Sequence, residues 1–436
     1  MGICKLMEPE PVCTNIMNST TDIFCAALNL SAPWFVSHVE FKPNDGMLEL
    51  HIDIDFKRGS VFTVTIDGQP YQGKAFDTQV KTWRHLNFFQ YRAYLHARVP
   101  RIKGPDGKGI HLVEVPWARS SSGFTLLFEA VVMELSKHMA VAQVAKQVNE
   151  HDTLLWRIIH HYVQAALSVA DFSDVTTLGV DETSKKGHNY ITVFADLKAR
   201  KVLYVASGKD KKTIAEFAKK FSEQHGDPAR ISVVTCDMSL GFLNGIKDAF
   251  VNSEAVIDKF HVIKHINEAV DTVRKSEAKT NPLLRRTKYL WLKNKENLTE
   301  SQRAKFETLS KKRLATGRAY AMRTTLQEVY ETAGSLDQAD TALRKLYNWL
   351  IRSRLEPMKA FARTLKNHRQ QILNYWKLRY TNATLEGLNS IIQTAKCRAR
   401  GFRNDEYFKT IIYLIAGKID LDAVCPPVSA KATHSI

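Results

Sequence analysis

Three carboxylates in this chain stand where chemistry is expected. In Thr177-Leu178-Gly179-Val180-Asp181-Glu182-Thr183 a β-prone apolar run ends on two acids, and Val233-Val234-Thr235-Cys236-Asp237-Met238-Ser239 repeats that order. Both read as buried strands carrying an acid off the end. Glu386 lies near the start of an amphipathic helical stretch, 382–403. Three hard oxygen donors, each at the end of a regular element, suit Mg²⁺ or Mn²⁺ and phosphoryl chemistry, in which two ions serve the attacking and the leaving oxygen. One Asp at a strand end is more often a loop cap than a ligand, so the reading rests on the three together. Glu182 and Asp258, each also at a predicted strand end, are rivals.

The elements that must position these acids are legible on both sides of them. Residues 190–197 and 201–207 read as two further strands joined at Lys198-Ala199-Arg200. Residues 211–225 read as a helix with Ile214, Phe217, Ala218 and Phe221 on one face and Gly226 as its stop. After the strand bearing Asp237 come a helix over 240–250 and a short strand at 255–257 ending at Asp258. Three antiparallel strands, a crossover helix and a parallel strand predict a ribonuclease-H-like α/β arrangement, with the first and fourth strands side by side and Asp181 near Asp237. Residues 261–376 are almost wholly helical by pattern and rich in Lys and Arg, which reads as a helical insertion beside the active site. In the closing helix Leu385, Leu388, Ile391, Ile392 and Ala395 are expected to face the core, and Glu386, Asn389, Gln393 and Lys396 to lie opposite. Lys396, Arg398, Arg400 and Arg403 follow in quick order as candidates to clamp DNA phosphates.

Composition narrows the class of partner. The 436 residues, 44% hydrophobic, predict two or three domains with ample core. The 62 Lys and Arg exceed the 45 Asp and Glu by 17, and they are spread along the chain and interleaved with aromatics, which fits nucleic acid before membrane. The six cysteines form no C-x-x-C pair and no disulfide-like spacing, as expected of a reducing cytosol. No apolar run approaches a signal sequence or a membrane span.

The N-terminal third carries further candidates. Residues 1–45, with Pro9, Pro11, Asn18, Ser19 and Thr20, read as a loose leader. Leu48, Leu50, Ile52, Ile54 and Phe56 alternate with polar residues as in a half-buried strand, and 61–66 with Asp67-Gly68 opens a hairpin. Residues 83–101 interleave basic and aromatic side chains. Arg84, Arg92, Arg98 and Arg101 could meet phosphates there; equally, the aromatics could be core and the arginines a solvated face. Residues 124–167 are helical by period. Val141, Val144, Ala145 and Val148 form one stripe, Asn149-Glu150-His151 the break, and Leu154, Leu155, Ile158 and Ile159 a second stripe, which is helix-turn-helix spacing. Arg157, His160 and His161 fall on or near its exposed face.

Together these residues carry a resemblance. Leu178-Gly179-Val180-Asp181-Glu182-Thr183, Cys236-Asp237-Met238-Ser239, Val256-Ile257-Asp258-Lys259-Phe260-His261 and Thr384-Leu385-Glu386-Gly387-Leu388-Asn389-Ser390, with Arg400-Gly401-Phe402-Arg403, resemble the signatures of bacterial DDE transposases of the ISL-three insertion-sequence family. Tyr289-Leu290-Trp291-Leu292-Lys293-Asn294 and Trp83-Arg84-His85-Leu86 resemble further stretches of it. The resemblance covers roughly 45–418 and implies Asp181, Asp237 and Glu386 as a catalytic, metal-holding triad for Mg²⁺ or Mn²⁺. It also implies a helix-turn-helix that reads terminal inverted repeats. The implied reaction nicks DNA at an element end and joins the freed 3′-hydroxyl to a target. The family usually carries paired zinc-binding cysteines near Trp83; here Val64 and Asp67 stand in the first pair's places and Lys103-Gly104-Pro105-Asp106 holds none, so no structural zinc is expected.

The resulting expectation is a cytoplasmic DNA transposase with an α/β ribonuclease-H-like catalytic core interrupted by a large all-helical insertion, preceded by a small β-rich N-terminal region and a helix-turn-helix. The expected boundaries are a leader at 1–45, the β-rich DNA-binding region at 46–120, the helix-turn-helix at 121–170, the core at 171–260 and 377–420, the insertion at 261–376 and a tail at 421–436. Double-stranded DNA is the expected partner, as element end and as target, with a homo-oligomer in the synapse and no membrane. The alternatives are an inactive DNA-binding relative and a metal-dependent nuclease of the same fold.

Overall fold

The structure, a computed structural model, describes residues 19–105, 107, 109–186, 189–380 and 383–425. It divides into two compact units, one of Met1–Tyr162 with Leu421–Ile436 and one of Val163–Asp420. Among the described residues no helix is long and apolar enough to cross a membrane.

In the first unit, helix α1 (Thr20–Ala27) precedes strands β1 (Trp34–Asn44), β2 (Met47–Phe56), β3 (Val61–Ile66), β4 (Gln69–Lys74), β5 (Asp77–Phe88), β6 (Tyr91–Lys103) and β7 (Ile110–Leu112). One sheet has the order β1-β2-β6-β5, with β7 on β6; β3 and β4 pair separately. Alternation decides its faces: Leu50, Ile52 and Ile54 of β2 pair with Ala93, Leu95 and Ala97 of β6, and all six are buried. Leu48, expected in the same stripe, is exposed. The β3–β4 hairpin turns on Asp67 and Gly68, both at positive φ, as a tight two-residue connection requires. Its Phe62 and Val64 pack into the core with Trp34, Phe56 and Trp117.

The leader expectation needs correction. Residues 20–27 and 34–44 are α1 and β1, and Trp34 and Val36, opposite Phe56 and Ile54 of β2 and ahead of a register shift between Val36 and His38, are buried in the sheet core. Residues 1–18 and 426–436 lie outside the described residues.

Helices α2 (Leu126–His138), α3 (Val141–Val148) and α4 (Asp152–Ser168) follow. The stripe Val141, Val144, Ala145 and Val148 is buried, as are Leu155, Ile158 and Ile159. Asn149 makes the break in the left-handed region, φ 55° and ψ 50°, which an asparagine tolerates better than most side chains.

The second unit is built on strands β8 (Thr177–Lys186), β9 (Asn189–Asp196), β10 (Lys201–Ser207), β11 (Val233–Cys236) and β12 (Glu254–Ile257), in the order β10-β9-β8-β11-β12. The first three are antiparallel; β11 is parallel to both β8 and β12. The first and fourth strands are therefore neighbours. Helices α5 (Lys211–Glu223) and α6 (Leu240–Ala249) cover an aromatic core of Phe194, Phe217, Phe221, Phe242 and Phe250. After β12 the chain is helical: α7 (Lys259–Glu277), α8 (Lys288–Leu292), α9 (Glu300–Ser310), α10 (Ala315–Thr332), α11 (Leu336–Ile351), α12 (Glu356–Asn367) and α13 (Arg369–Leu378). These helices share a core around Trp291, Met322, Leu326, Leu346 and Met358. Two helices close the unit, α14 (Ala383–Arg398) and α15 (Asp405–Ala416). The helix expected over 382–403 ends at Arg398, before Arg400 and Gly401 at positive φ, and α15 follows beyond it. Tyr413 of α15 accepts a hydrogen bond from the Val205 N–H of β10, 2.9 Å.

Candidate active site

The ladder of β8 and β11 fixes where two of the acids fall. Thr177 faces Val233 and Gly179 faces Thr235, 56 residues apart at each rung. Asp181 and Asp237 are also 56 residues apart, so Asp237 stands on the line of Asp181, one step past the end of β11. On the other side Cys236 faces Ile257, and the same register sets Asp258 level with Asp237. Parallel neighbours are about 4.8 Å apart, so a row of acids crosses the sheet where β11 and β12 end; Asp181, expected off a strand end, instead lies within β8, which runs on to Lys186 paired with β9.

Glu386 comes to this row on a helix laid against β8. A Cβ on Gly179 would come within 2.6 Å of Leu385 Cδ1 and 2.7 Å of Leu197 Cδ2, so only glycine allows that approach. Leu385, Leu388 and Ile392 are buried as expected; Ile391 is exposed, because a helix lying on one strand buries a narrower stripe than the sequence pattern offers. Glu386 is exposed and lines a cleft of 480 Å³ with Asp258, Lys259, Phe260, Arg323 and Tyr375.

Each acid also has local partners. Asp181 Oδ1 accepts from the Glu182 N–H at 2.8 Å and lies 3.6 Å from His261 Nε2; its Oδ2 accepts from the Asn389 amide at 2.7 Å. Asp237 Oδ1 accepts from the Ser239 N–H at 2.8 Å ahead of α6. Asp258 is buried and caps α7 through the Phe260 N–H at 3.2 Å, and Glu182 lies 4.0 Å from Lys209. Both rivals thus have a structural partner of their own.

The electrostatics show that these acids act on one another. Burial pushes Asp258 above the ordinary carboxylate range; the Phe260 N–H and His261 oppose this, and Glu386 and Asp181 add to it. Burial likewise raises Glu182, against Lys209 and with Asp237 and Asp181. Burial works against the charge on His261, yet the facing Asp181 and the nearby Asp258 and Asp237 outweigh it and hold the imidazole above its usual value. The hard oxygen donors suit a divalent cation in kind and in charge. Among the described residues, no three acids, histidines or cysteines are drawn together tightly enough to enclose one ion.

The basic candidates separate sharply. Arg84 corrects the expectation of a phosphate contact: it is 4% exposed, and its guanidinium reaches Glu150 at 3.1 Å and the carbonyls of Val148 at 3.1 Å and Ala93 at 3.3 Å. It ties the sheet to the turn of the helix-turn-helix. Arg92 bonds the Asn149 side chain of the same turn at 3.1 Å, Arg98 pairs with Asp55 at 3.2 Å, and Arg101 forms a two-pronged pair with Asp77. Arg157, His160 and His161 are exposed on α4. In the second unit Lys396 donates to the Ser184 carbonyl at 2.6 Å, which makes it a link from α14 to β8, whereas Arg398, Arg400 and Arg403 are exposed. Sequence reasoning gave no role to Thr183 or His261. The spacing signals were present, since Thr183 follows Asp181 by two residues on the same strand face and His261 lies in the first turn after Asp258.

Known proteins carry the same patterns. Residues 178–412 match a family described as "Transposase", and residues 113–163 match the "Helix-turn-helix domain of transposase family ISL3". The chain is 26% identical over 361 residues to the "Transposase for insertion sequence element IS1557" of Mycobacterium tuberculosis, covering 75% of this chain and 79% of that one. It is 27% identical over 349 residues to the "Transposase for insertion sequence element IS1001" of Bordetella parapertussis, covering 76% and 83%.

Proposed function

This chain belongs to the ISL3 family of transposases, and we propose that it is a cytoplasmic enzyme that cuts DNA at the ends of an insertion sequence and joins the freed ends to target DNA. The observation that carries this reading is the register of β8 and β11, which sets Asp181 level with Asp237 on adjacent strands. Asp181, Asp237 and Glu386 would hold Mg²⁺ or Mn²⁺. When bound, such ions lower the barrier to in-line displacement at phosphorus by neutralising charge on the attacking and leaving oxygens. Asp181 would be oriented by its Asn389 and Glu182 N–H bonds, and His261 would balance part of the acid row's charge.

DNA-end recognition falls to α3 and α4, with Arg157 on the exposed face, and phosphate binding near the acids falls to Arg398, Arg400 and Arg403. Arg98 and Arg101 can join only by exchanging Asp55 and Asp77 for phosphate. The helices from α7 to α13 are read as an insertion into a ribonuclease-H-like core, since the acids before and after them serve one site. Two ends must be processed together, so a homo-oligomer is proposed for the synapse.

Incubation of the protein with a labelled duplex carrying the element end, in Mg²⁺ or Mn²⁺, tests this reading. A nick at the end is expected. Tight end binding with the duplex left intact in either metal would instead identify an inactive DNA-binding relative.

A further inference from the structure

Helix α14 and strand β8 are joined by a ladder of three side-chain links, and the middle one touches the candidate active site. Leu385 packs over Gly179, Asn389 bonds Asp181 and Thr183, and Lys396 reaches the Ser184 carbonyl. The spacings agree. Five strand residues, from Gly179 to Ser184, advance about 16.5 Å at 3.3 Å each, and eleven helical residues, from Leu385 to Lys396, advance about 16.5 Å at 1.5 Å each. The helix therefore runs alongside the strand in the same direction, with Asn389 held at the height of Asp181.

The chemistry of the middle link is directional. Thr183 Oγ1 lies 2.5 Å from Asn389 Oδ1 and Asn389 Nδ2 lies 2.7 Å from Asp181 Oδ2. A carboxylate can only accept, so Asp181 sets the amide with its nitrogen toward it and leaves the amide oxygen to the Thr183 hydroxyl, which donates to it. We infer that Asn389, anchored by the Thr183 hydroxyl, is the positioning residue that fixes the Asp181 carboxylate toward the row of acids and, one helical turn after Glu386, couples the two acids. Asp181 cannot rotate without giving up the Asn389 bond, and Asn389 cannot flip without setting its oxygen against a carboxylate. Partners that orient metal-holding side chains in this way are worth roughly 10- to 100-fold in metal affinity or activity when removed.

The inference rests on the proposed function, and its test separates the two. Mn²⁺ is titrated calorimetrically into the full chain, and cleavage of the element-end duplex is followed in parallel, for wild type, Asp181→Ala, Asn389→Leu, Thr183→Val and Thr183→Ser. Asn389→Leu is expected to weaken Mn²⁺ binding roughly 10- to 100-fold and to lower kcat with KM for DNA unchanged. Thr183→Val should shift both in the same direction by less, and Thr183→Ser, which keeps the hydroxyl, should restore wild-type behaviour. Should Asn389→Leu not fold, the Thr183 pair reads the same link. If Asn389→Leu or Thr183→Val binds Mn²⁺ and cuts as wild type does while Asp181→Ala has lost both, the inference fails and the function stands. If Asp181→Ala still binds Mn²⁺ and cuts, the proposed site fails and the inference with it.

Discussion

The arginines of the N-terminal sheet and the acids of the second unit treat their charge in opposite ways. On the sheet, Arg84, Arg98 and Arg101 are each matched to a carboxylate, Glu150, Asp55 and Asp77. Along the row of acids across β8, β11 and β12, the cations that the described residues bring within ion-pair distance are His261 beside Asp181 and Lys209 beside Glu182. A charge neutralised inside the fold holds elements together. A cluster of like charges left short of partners costs stability, and such clusters collect where chemistry is done. The contrast sorts these residues better than their distribution in the sequence does, since the arginine-rich 83–101 stretch looked the more eventful of the two.

The largest effect that would break this comparison is expected at Arg84. Removing it in Arg84→Ala leaves Glu150, the Asn87 side chain and three carbonyls without their partner and should destabilise the N-terminal unit by about 3–5 kcal/mol, measured by denaturant unfolding followed through Trp34, Trp83 and Trp117. A loss under about 0.5 kcal/mol, typical of surface substitutions, would return Arg84 to the pool of DNA-binding candidates.

Acid should strain the same unit through His85. Burial, with Arg84 nearby, lowers its pKa from 6.5 to about 4, and its Nδ1 lies 2.9 Å from Thr125 Oγ1, which also accepts from the Phe128 N–H. The hydroxyl then donates to an unprotonated Nδ1. Above pH 6.5 both folded and unfolded chains are neutral at this position and the stability is intact. As pH falls from 6.5 to about 4 the unfolded chain takes up the proton first, so stability drains by up to about 3 kcal/mol in total. His85→Gln should flatten that slope in melting curves taken across this range; an unchanged slope would show that His85 is not the group responsible.

Smaller effects sharpen the catalytic side. Gly179→Ala should cost about 1–3 kcal/mol by overpacking against Leu385 and Leu197, with DNA cleavage falling more than DNA binding as α14 is pushed from β8. Equal losses in both would mean that the helix does more than position Glu386. At the small end, Arg101→Ala removes a half-buried, peripheral ion pair and should change stability far less than Arg84→Ala does. Replacing Arg398, Arg400 and Arg403 together by Gln should flatten the salt dependence of DNA binding by roughly 0.9 in log–log slope for each phosphate that is no longer neutralised; an unchanged slope would remove them from the DNA surface.

What the sequence made legible were features set by local pattern. The apolar runs ending on Asp181 and Asp237 are strands with parallel register, and Asn149 breaks two helices where the stripes change phase. What it hid depended on a partner far along the chain. Nothing near Arg84 announces Glu150, 66 residues on, or that α3 and its turn cover that edge of the sheet. Lys396 looked like one of four phosphate clamps until the carbonyl of Ser184, 212 residues earlier, took its ammonium. Residues 34–44 were read as leader because Pro and Ser punctuation before them masked an alternation that has meaning only once β2 is beside it.

The most direct measurement of the central claim is single-turnover cleavage of an element-end duplex in Mn²⁺ by wild type, Asp181→Ala, Asp237→Ala, Glu386→Ala and Arg101→Ala, with end binding measured on the same samples. Wild type and Arg101→Ala should cut, while the three acid variants bind the end and leave it whole. Cleavage by any of those three at the wild-type rate would contradict the assignment of these acids as the active site.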